Sequence, residues 1–274
     1  MMEKIWDYIC ADKNLKNVGK QVGTWILAIA VLVGMGYATY YVTGEFSAGS
    51  VAASAGAYGD RELPIYCVDT KEEQVALSFD CAWGAEDFKR IMKILNKHNT
   101  KATFFMTGNW IEDNPECVKE LVTQGHDLGN HSEHHYDMTT ISKEEIKSEI
   151  ASVHARVKDL TGYEMFLFRP PYGAYNNAVI NMSYEMKYYP VQWSVDSLDW
   201  KDYGADAIID RVCNHKQLAP GAIILCHNGA KYTADALDEM LTKLEEQGYQ
   251  VVPISKLILR DHYHMDGTGK QIPD

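Results

Sequence analysis

The most conspicuous pattern in the chain is one uncharged run, Val22–Val42, followed by short apolar stretches that alternate with amphipathic ones. At about 1.5 Å per residue in a helix, that run is long enough to cross the roughly 30 Å hydrocarbon layer of a bilayer. Trp25 near one end and Tyr37, Tyr40 and Tyr41 near the other sit where interfacial aromatics belong. A buried core helix is the alternative, and an uncharged run of this length is uncommon in a soluble core. Lys4, Lys13, Lys16 and Lys20 precede the run and Arg61 is the first basic residue after it, which predicts a cytoplasmic N-terminus and an outward-facing remainder. Ala53-Ser54-Ala55 has the small-x-small form of a cleavage site. It lies well beyond an apolar run that exceeds the usual signal-peptide length, so a retained single-pass anchor is the preferred reading.

Ser47–Gly59 is small, polar and without an apolar face, the composition of a flexible stalk. Beyond it, seven short apolar or β-branched runs predict strands at Val75–Phe79, Ala102–Met106, Asp127–Gly129, Phe166–Phe168, Tyr189–Val195, Ala222–Cys226 and Tyr249–Val252. Amphipathic stretches at Glu86–His98, Ser142–Leu160, Ala205–Leu218 and Ala234–Gln247 predict helices between them. Ser142-Lys143-Glu144-Glu145 has the capping-box form that opens a helix. Repeated strand–helix units imply a mostly parallel sheet with helices outside, and seven of them suggest a barrel, complete or not. The expected organisation is a cytoplasmic segment 1–21, a transmembrane anchor 22–42, a stalk 43–65, one α/β domain 66–260 and a C-terminal tail 261–274.

Charge and cysteine content narrow the function classes. A net charge of −12 over 274 residues argues against nucleic acid as a partner. The first 45 residues contain four Lys and four acidic residues, so the acidity belongs to the remainder. The six cysteines are scattered without a C-x-x-C pair, which fits neither a zinc finger nor a disulfide framework.

Polar residues able to do chemistry recur at the ends of the expected strands: Asp80, Asn130-His131, Arg169, Asp196 and His227. In a barrel of βα units these positions converge on one face. In His131-Ser132-Glu133-His134-His135, a helical segment would put His131 and His135 on one side, able to share an ion. A solvated polar loop is the competing reading. Arg169-Pro170-Pro171-Tyr172-Gly173 reads as a rigid turn, and Asp196-Ser197-Leu198-Asp199-Trp200 joins carboxylates to an aromatic that can wall a sugar-sized pocket.

The ordered set F-D, H-S-x-x-H, R-P-P-Y-G, D-S-L-D-W and L-C-H resembles the polysaccharide deacetylases of carbohydrate esterase family four, the NodB homology domain, over about residues 70–255. The resemblance implies a distorted (β/α)7 barrel that removes acetyl groups from N-acetylated sugars, or O-acetyl esters in some relatives. It makes Asp80 the general base, His131 and His135 metal ligands, Arg169 the residue holding the base, and Tyr172 an oxyanion contact through its backbone N–H. It also makes Asp196 the support of the catalytic histidine, Trp200 the pocket wall and His227 the general acid.

Where the family usually has a second Asp, its third metal ligand, this chain has Cys81. The F-D-x-x-W-G form resembles a sporulation-type subgroup. Three readings stay open: Cys81 supplies a thiolate suited to Zn²⁺, His131 and His135 hold an ion with Asp80 and waters, or the ion is weak or absent and Cys81 packs. Gly229 offers no side chain after His227-Asn228, and His262-x-His264 reads as part of a solvated tail. The expected protein is thus a membrane-anchored, metal-dependent, extracytoplasmic deacetylase of peptidoglycan or chitin-like glycan. The rival is a non-catalytic glycan-binding protein with a degenerate metal site.

Overall fold

The computed structural model describes residues 61–274. The expected cytoplasmic segment, the anchor at 22–42 and the stalk as far as residue 60 lie outside the described residues. Among the described residues, no helix is long and apolar enough to cross a membrane.

The architecture is α/β, built on a curled, parallel half-barrel sheet. Its strands in chain order are β2 (Gln74–Cys81), β3 (Thr103–Met106), β4 (Asp127–Asn130), β5 (Leu167–Phe168), β6 (Tyr189–Pro190), β7 (Val195–Asp196), β8 (Ile223–His227) and β9 (Gln250–Val252). They are ordered β6-β5-β4-β3-β2-β8-β7, with β9 pairing the start of β2. All the pairings are parallel. Such a sheet is covered on both faces, which is why Val75–Cys81 is buried at every position.

Side-chain alternation along β2 assigns the two faces. Val75, Leu77, Phe79 and Cys81 join the apolar cluster shared with the helices. Ala76 belongs to the second cluster with Phe105, Leu167, Val191 and Ile223, on the concave side. Asp80 falls on that same side, above Ala76 and Ser78.

The single strand expected at Tyr189–Val195 is two. β6 pairs with β5 at one edge and β7 with β8 at the other. Between them the Gln192 N–H donates to the Ile65 carbonyl and the Ser194 N–H to that of Ile223. No ladder joins β6 to β7 among the described residues, so the sheet is an open curl and not a hydrogen-bonded closed barrel. Ile65, placed by sequence in the stalk, is fully buried and bridged to Val191.

The helices flanking the sheet are α1 (Phe88–Lys97), α2 (Gly108–Asp113), α3 (Pro115–Thr123), α4 (Lys143–Thr161), α5 (Asn177–Glu185), α6 (Ala205–Cys213), α7 (Thr233–Glu246) and α8 (Ile254–Leu257). The capping box forms as read: Ser142 Oγ accepts from the Glu145 N–H, and the Glu145 carboxylate accepts from the Ser142 N–H. α2, α3, α5 and α8 were not expected, being short or carrying weak apolar periodicity. The stretch read as a tail forms β10 (Tyr263–Met265) and β11 (Lys270–Pro273), and β11 pairs with β1 (Cys67–Val68). Within it His264 Nδ1 lies 2.9 Å from Asp274 Oδ1.

Candidate active site

Asp80 is the penultimate residue of β2, and its carboxylate is buried on the concave side of the sheet. Arg169, directly after β5, donates from Nη1 to Asp80 Oδ1 at 2.6 Å and from Nη2 to the Gln192 carbonyl at 3.2 Å. Its guanidinium, fully buried, lies 4.1 Å from the Phe105 ring centroid and 5.5 Å from that of Trp193. Burial pushes the Asp80 carboxyl upward, but the Arg169 charge, with His131 and His227 nearby, outweighs it and holds the group below the usual carboxylate range. Asp80 is therefore ionised at neutral pH.

His131 and His135 do come together, by a route other than the expected helix. Their segment is a loop after β4, with Ser132 and His135 both left-handed at φ 67° and 59°. Asn130 Oδ1 accepts the Ser132 N–H and Ser132 Oγ accepts the His135 N–H, so local polar bonds support a backbone that side chains disfavour. The two rings meet edge to face with centroids 4.9 Å apart. His131 Nδ1 is 2.7 Å from the Arg169 carbonyl, which assigns the proton to Nδ1 and leaves Nε2 3.6 Å from Asp80 Oδ2. Burial keeps both imidazoles neutral, with that of His135 pushed down to about 4. His134 turns away to the Glu149 carboxylate, which accepts its backbone N–H at 2.8 Å and lies 2.6 Å from its Nδ1.

Two neutral imidazoles, one oriented by a carbonyl behind it, suit a divalent ion. A Cys81 thiolate, one of the three readings of their partner, does not. Cys81 is fully buried in the helix-side apolar cluster, on the opposite face of β2 from Asp80, and it is absent from the cavity wall. Burial, with Asp80 adding to it, raises its thiol well above the ordinary value, against the thiolate that ligation needs. Position 81 therefore packs. No group of three or more His, Cys, Asp or Glu side chains stands ready for one ion among the described residues. The residues do not fit the three-ligand metal site that the resemblance implied.

His227, at the end of β8, sits beside Asp80 in the β2–β8 register. Its carboxylate support is Asp199, where the sequence reading had Asp196. Asp199 Oδ1 lies 2.7 Å from His227 Nδ1, and Oδ2 accepts both the His227 N–H and the Thr233 hydroxyl at 2.6 Å. The exchange is a matter of local geometry: β7 ends at Asp196, whose Oδ1 takes the Leu198 N–H in a tight turn. The following 3-10 turn, Asp199–Lys201, swings the second carboxylate inward to full burial. The D-S-L-D-W string contained both residues, and spacing alone did not distinguish them. Burial lowers the affinity of His227 for a proton, but the Asp199 bond and charge, with Asp80 and Asp196 adding to them, outweigh burial and raise its pKa.

These groups surround a cavity of about 490 Å³ lined by Asp80, His131, His135, Tyr172, Asp196, Trp200 and His227 together with Ala82, Trp83, Gly173, Trp193 and Leu225. Of the nine residues named from the sequence, seven therefore line the cavity, while Arg169 is buried against Asp80 and Cys81 faces the helices. Tyr172 is left-handed at φ 60° and 70% exposed, while Trp83 and Trp200 are each half exposed. Trp83 and Trp193 were not assigned a role from sequence. Trp83 lies within the first motif, and the indoles beside it carried no periodic signal.

A polysaccharide deacetylase family model matches residues 68–191. The chain is 36% identical over 201 residues to the peptidoglycan-N-acetylmuramic acid deacetylase PdaA of Bacillus subtilis, covering 70% of this chain and 74% of that one. It is 38% identical over 185 residues to the peptidoglycan-N-acetylglucosamine deacetylase PgdA of Listeria monocytogenes, covering 68% of this chain and 39% of that one. Among solved structures it resembles a wild-type CE4 family pseudoenzyme from Bacillus anthracis, with a TM-score of 0.68 at 34% identity, over 77% of this chain and 73% of that one. By sequence, by fold and by the groups gathered at the strand ends, the chain belongs to the polysaccharide deacetylase family.

Proposed function

We propose that this polysaccharide deacetylase removes N-acetyl groups from N-acetylmuramic acid or N-acetylglucosamine units of peptidoglycan. The observation that carries the reading is the pairing of an ionised, arginine-held Asp80 with an Asp199-supported His227 in one aromatic-walled cavity. Water attacks the amide carbonyl carbon with Asp80 as the acceptor of its proton, and the Tyr172 N–H is the proposed oxyanion contact. Collapse of the tetrahedral adduct breaks the C–N bond as the His227 imidazolium protonates the leaving nitrogen, giving acetate and a free amine. Asp199 orients that ring and stabilises its charge. The zinc expectation narrows to His131 and His135, and the steps above use the chain's own groups alone.

The direction of Cys81 favours a second reading, a glycan-binding protein with the pocket but without turnover. The uncharged run at 22–42 supports a cell-membrane anchor with the domain outside. The test is acetate release from purified peptidoglycan, with and without chelator. Acetate release that falls by about 10²–10⁴-fold in His227→Ala supports the enzyme. Glycan binding without acetate release would support the second reading.

A further inference from the structure

The two unusual stretches of the sequence, Ala82-Trp83-Gly84 after the first motif and Asn228-Gly229 after the last, lie against each other in the fold. The Trp83 and His227 ring centroids are 5.1 Å apart at 31°, with the indole over the imidazole. Asp87 occupies the capping position of α1 without capping it. Its carboxylate reaches across instead, accepting from Asn228 Nδ2 at 2.5 Å and from the Gly229 N–H at 3.0 Å. The Asn228 N–H donates to the Asp80 carbonyl. Gly229 is left-handed at φ 84°, and a Cβ there would lie 3.1 Å from the Gly84 carbonyl oxygen. Trp110 Nε1 holds that same carbonyl from α2 at 3.3 Å.

We infer that the loop Ala82–Asp87 is a bracket that orients His227, with Trp83 and Asp87 as positioning residues. The inference rests on the reading of His227 as the acid. Asp199 holds the ring through Nδ1 and the His227 backbone through its N–H, and it touches neither the face of the ring nor the side chain of Asn228 and the N–H of Gly229. Trp83 covers one face of the ring, and Asp87 ties down the two residues that follow it. A side chain at Gly229 would crowd the bracket and strain the left-handed backbone there. The same arrangement gives a use to Asp87, whose position would otherwise supply a helix cap.

Kinetics on full-length protein with penta-N-acetylchitopentaose as probe separate this role from that of a sugar platform. Trp83→Ala and Asp87→Ala should lower kcat by roughly 10²-fold, the scale of an ångström-sized misplacement, with KM little changed. Trp83→Phe, which retains a ring face, should recover most of the loss. A rise in KM at constant kcat for Trp83→Ala would overturn the inference. A second measurement needs no turnover. In protein labelled with ¹⁵N-histidine, the His227 ring signals, identified by their loss in His227→Gln, should move in Trp83→Ala through the lost ring current. They should also move in Asp87→Ala. Unmoved His227 signals in both variants overturn the bracket whether or not wild-type protein releases acetate from the probe. Absence of acetate with those signals moving would instead count against the deacetylase reading and support the bracket.

Discussion

Asp199→Asn isolates the support of His227, the proposed acid. In the wild-type chain the buried carboxylate accepts three hydrogen bonds, two of them from His227. The amide can retain its oxygen toward the His227 N–H and Thr233, but its NH₂ group then faces Nδ1. His227 must shed that proton and stay neutral. The pH dependence has a definite sign. His227 has a raised pKa in the folded chain, so its contribution to stability is fully present below the unfolded imidazole value and is lost as pH rises through the folded one. The substitution should therefore cost about 3–5 kcal/mol near pH 5, the scale for removing one partner of a buried pair. At a pH above that raised value, where the imidazole is neutral in both chains, only the exchanged hydrogen bonds differ and the cost should shrink to roughly 1 kcal/mol. Urea unfolding of full-length protein at the two pH values measures both, and acetate release should drop by about 10²–10⁴-fold. Asp196→Asn, where the side chain accepts the Leu198 N–H and reaches His227 only through its charge, should cost less than about 1 kcal/mol at either pH. Equal costs at the two pH values, or a larger effect at Asp196 than at Asp199, would refute the assignment.

Arg169→Met leaves the Asp80 carboxylate buried without its counter-charge, and should destabilise the chain by about 3–5 kcal/mol at neutral pH while raising the Asp80 pKa, read by urea unfolding against pH. Cys81→Ser should leave zinc stoichiometry unchanged, whereas His131→Ala should reduce it; loss of zinc in the serine variant would return Cys81 to the ligand set. Cys81→Asp puts a carboxylate into the apolar cluster of Phe79, Met106 and Trp110, and should destabilise the chain by several kcal/mol with no gain in acetate release. On wall-stripped cells, residues 61–274 should be open to added protease while the N-terminus is protected; the opposite pattern would reverse the proposed orientation.

Much of the layout was legible because it depends on local repetition. Apolar runs long enough for a buried parallel strand located β2, β3 and β8, and the capping box opened α4 one residue from where it was read. The strand-end rule then collected Asp80, His131, Arg169, Asp196 and His227 without any knowledge of their contacts, since topology alone brings the ends of parallel strands to one rim. What stayed hidden turned on direction. Whether Cys81 faces the cavity or the helices depends on one more residue of β pleat before the strand ends, and that residue's neighbours are Phe104 and Met106 on another strand. The choice between Asp196 and Asp199 was made by a 3-10 turn and by Thr233 at the head of α7, distant in sequence. The split of Tyr189–Val195 came from Ile65 and Ile223 competing for its backbone groups. A sequence specifies which side chains occur near a strand end; which of them point into the same space is decided by segments far along the chain that pack against it.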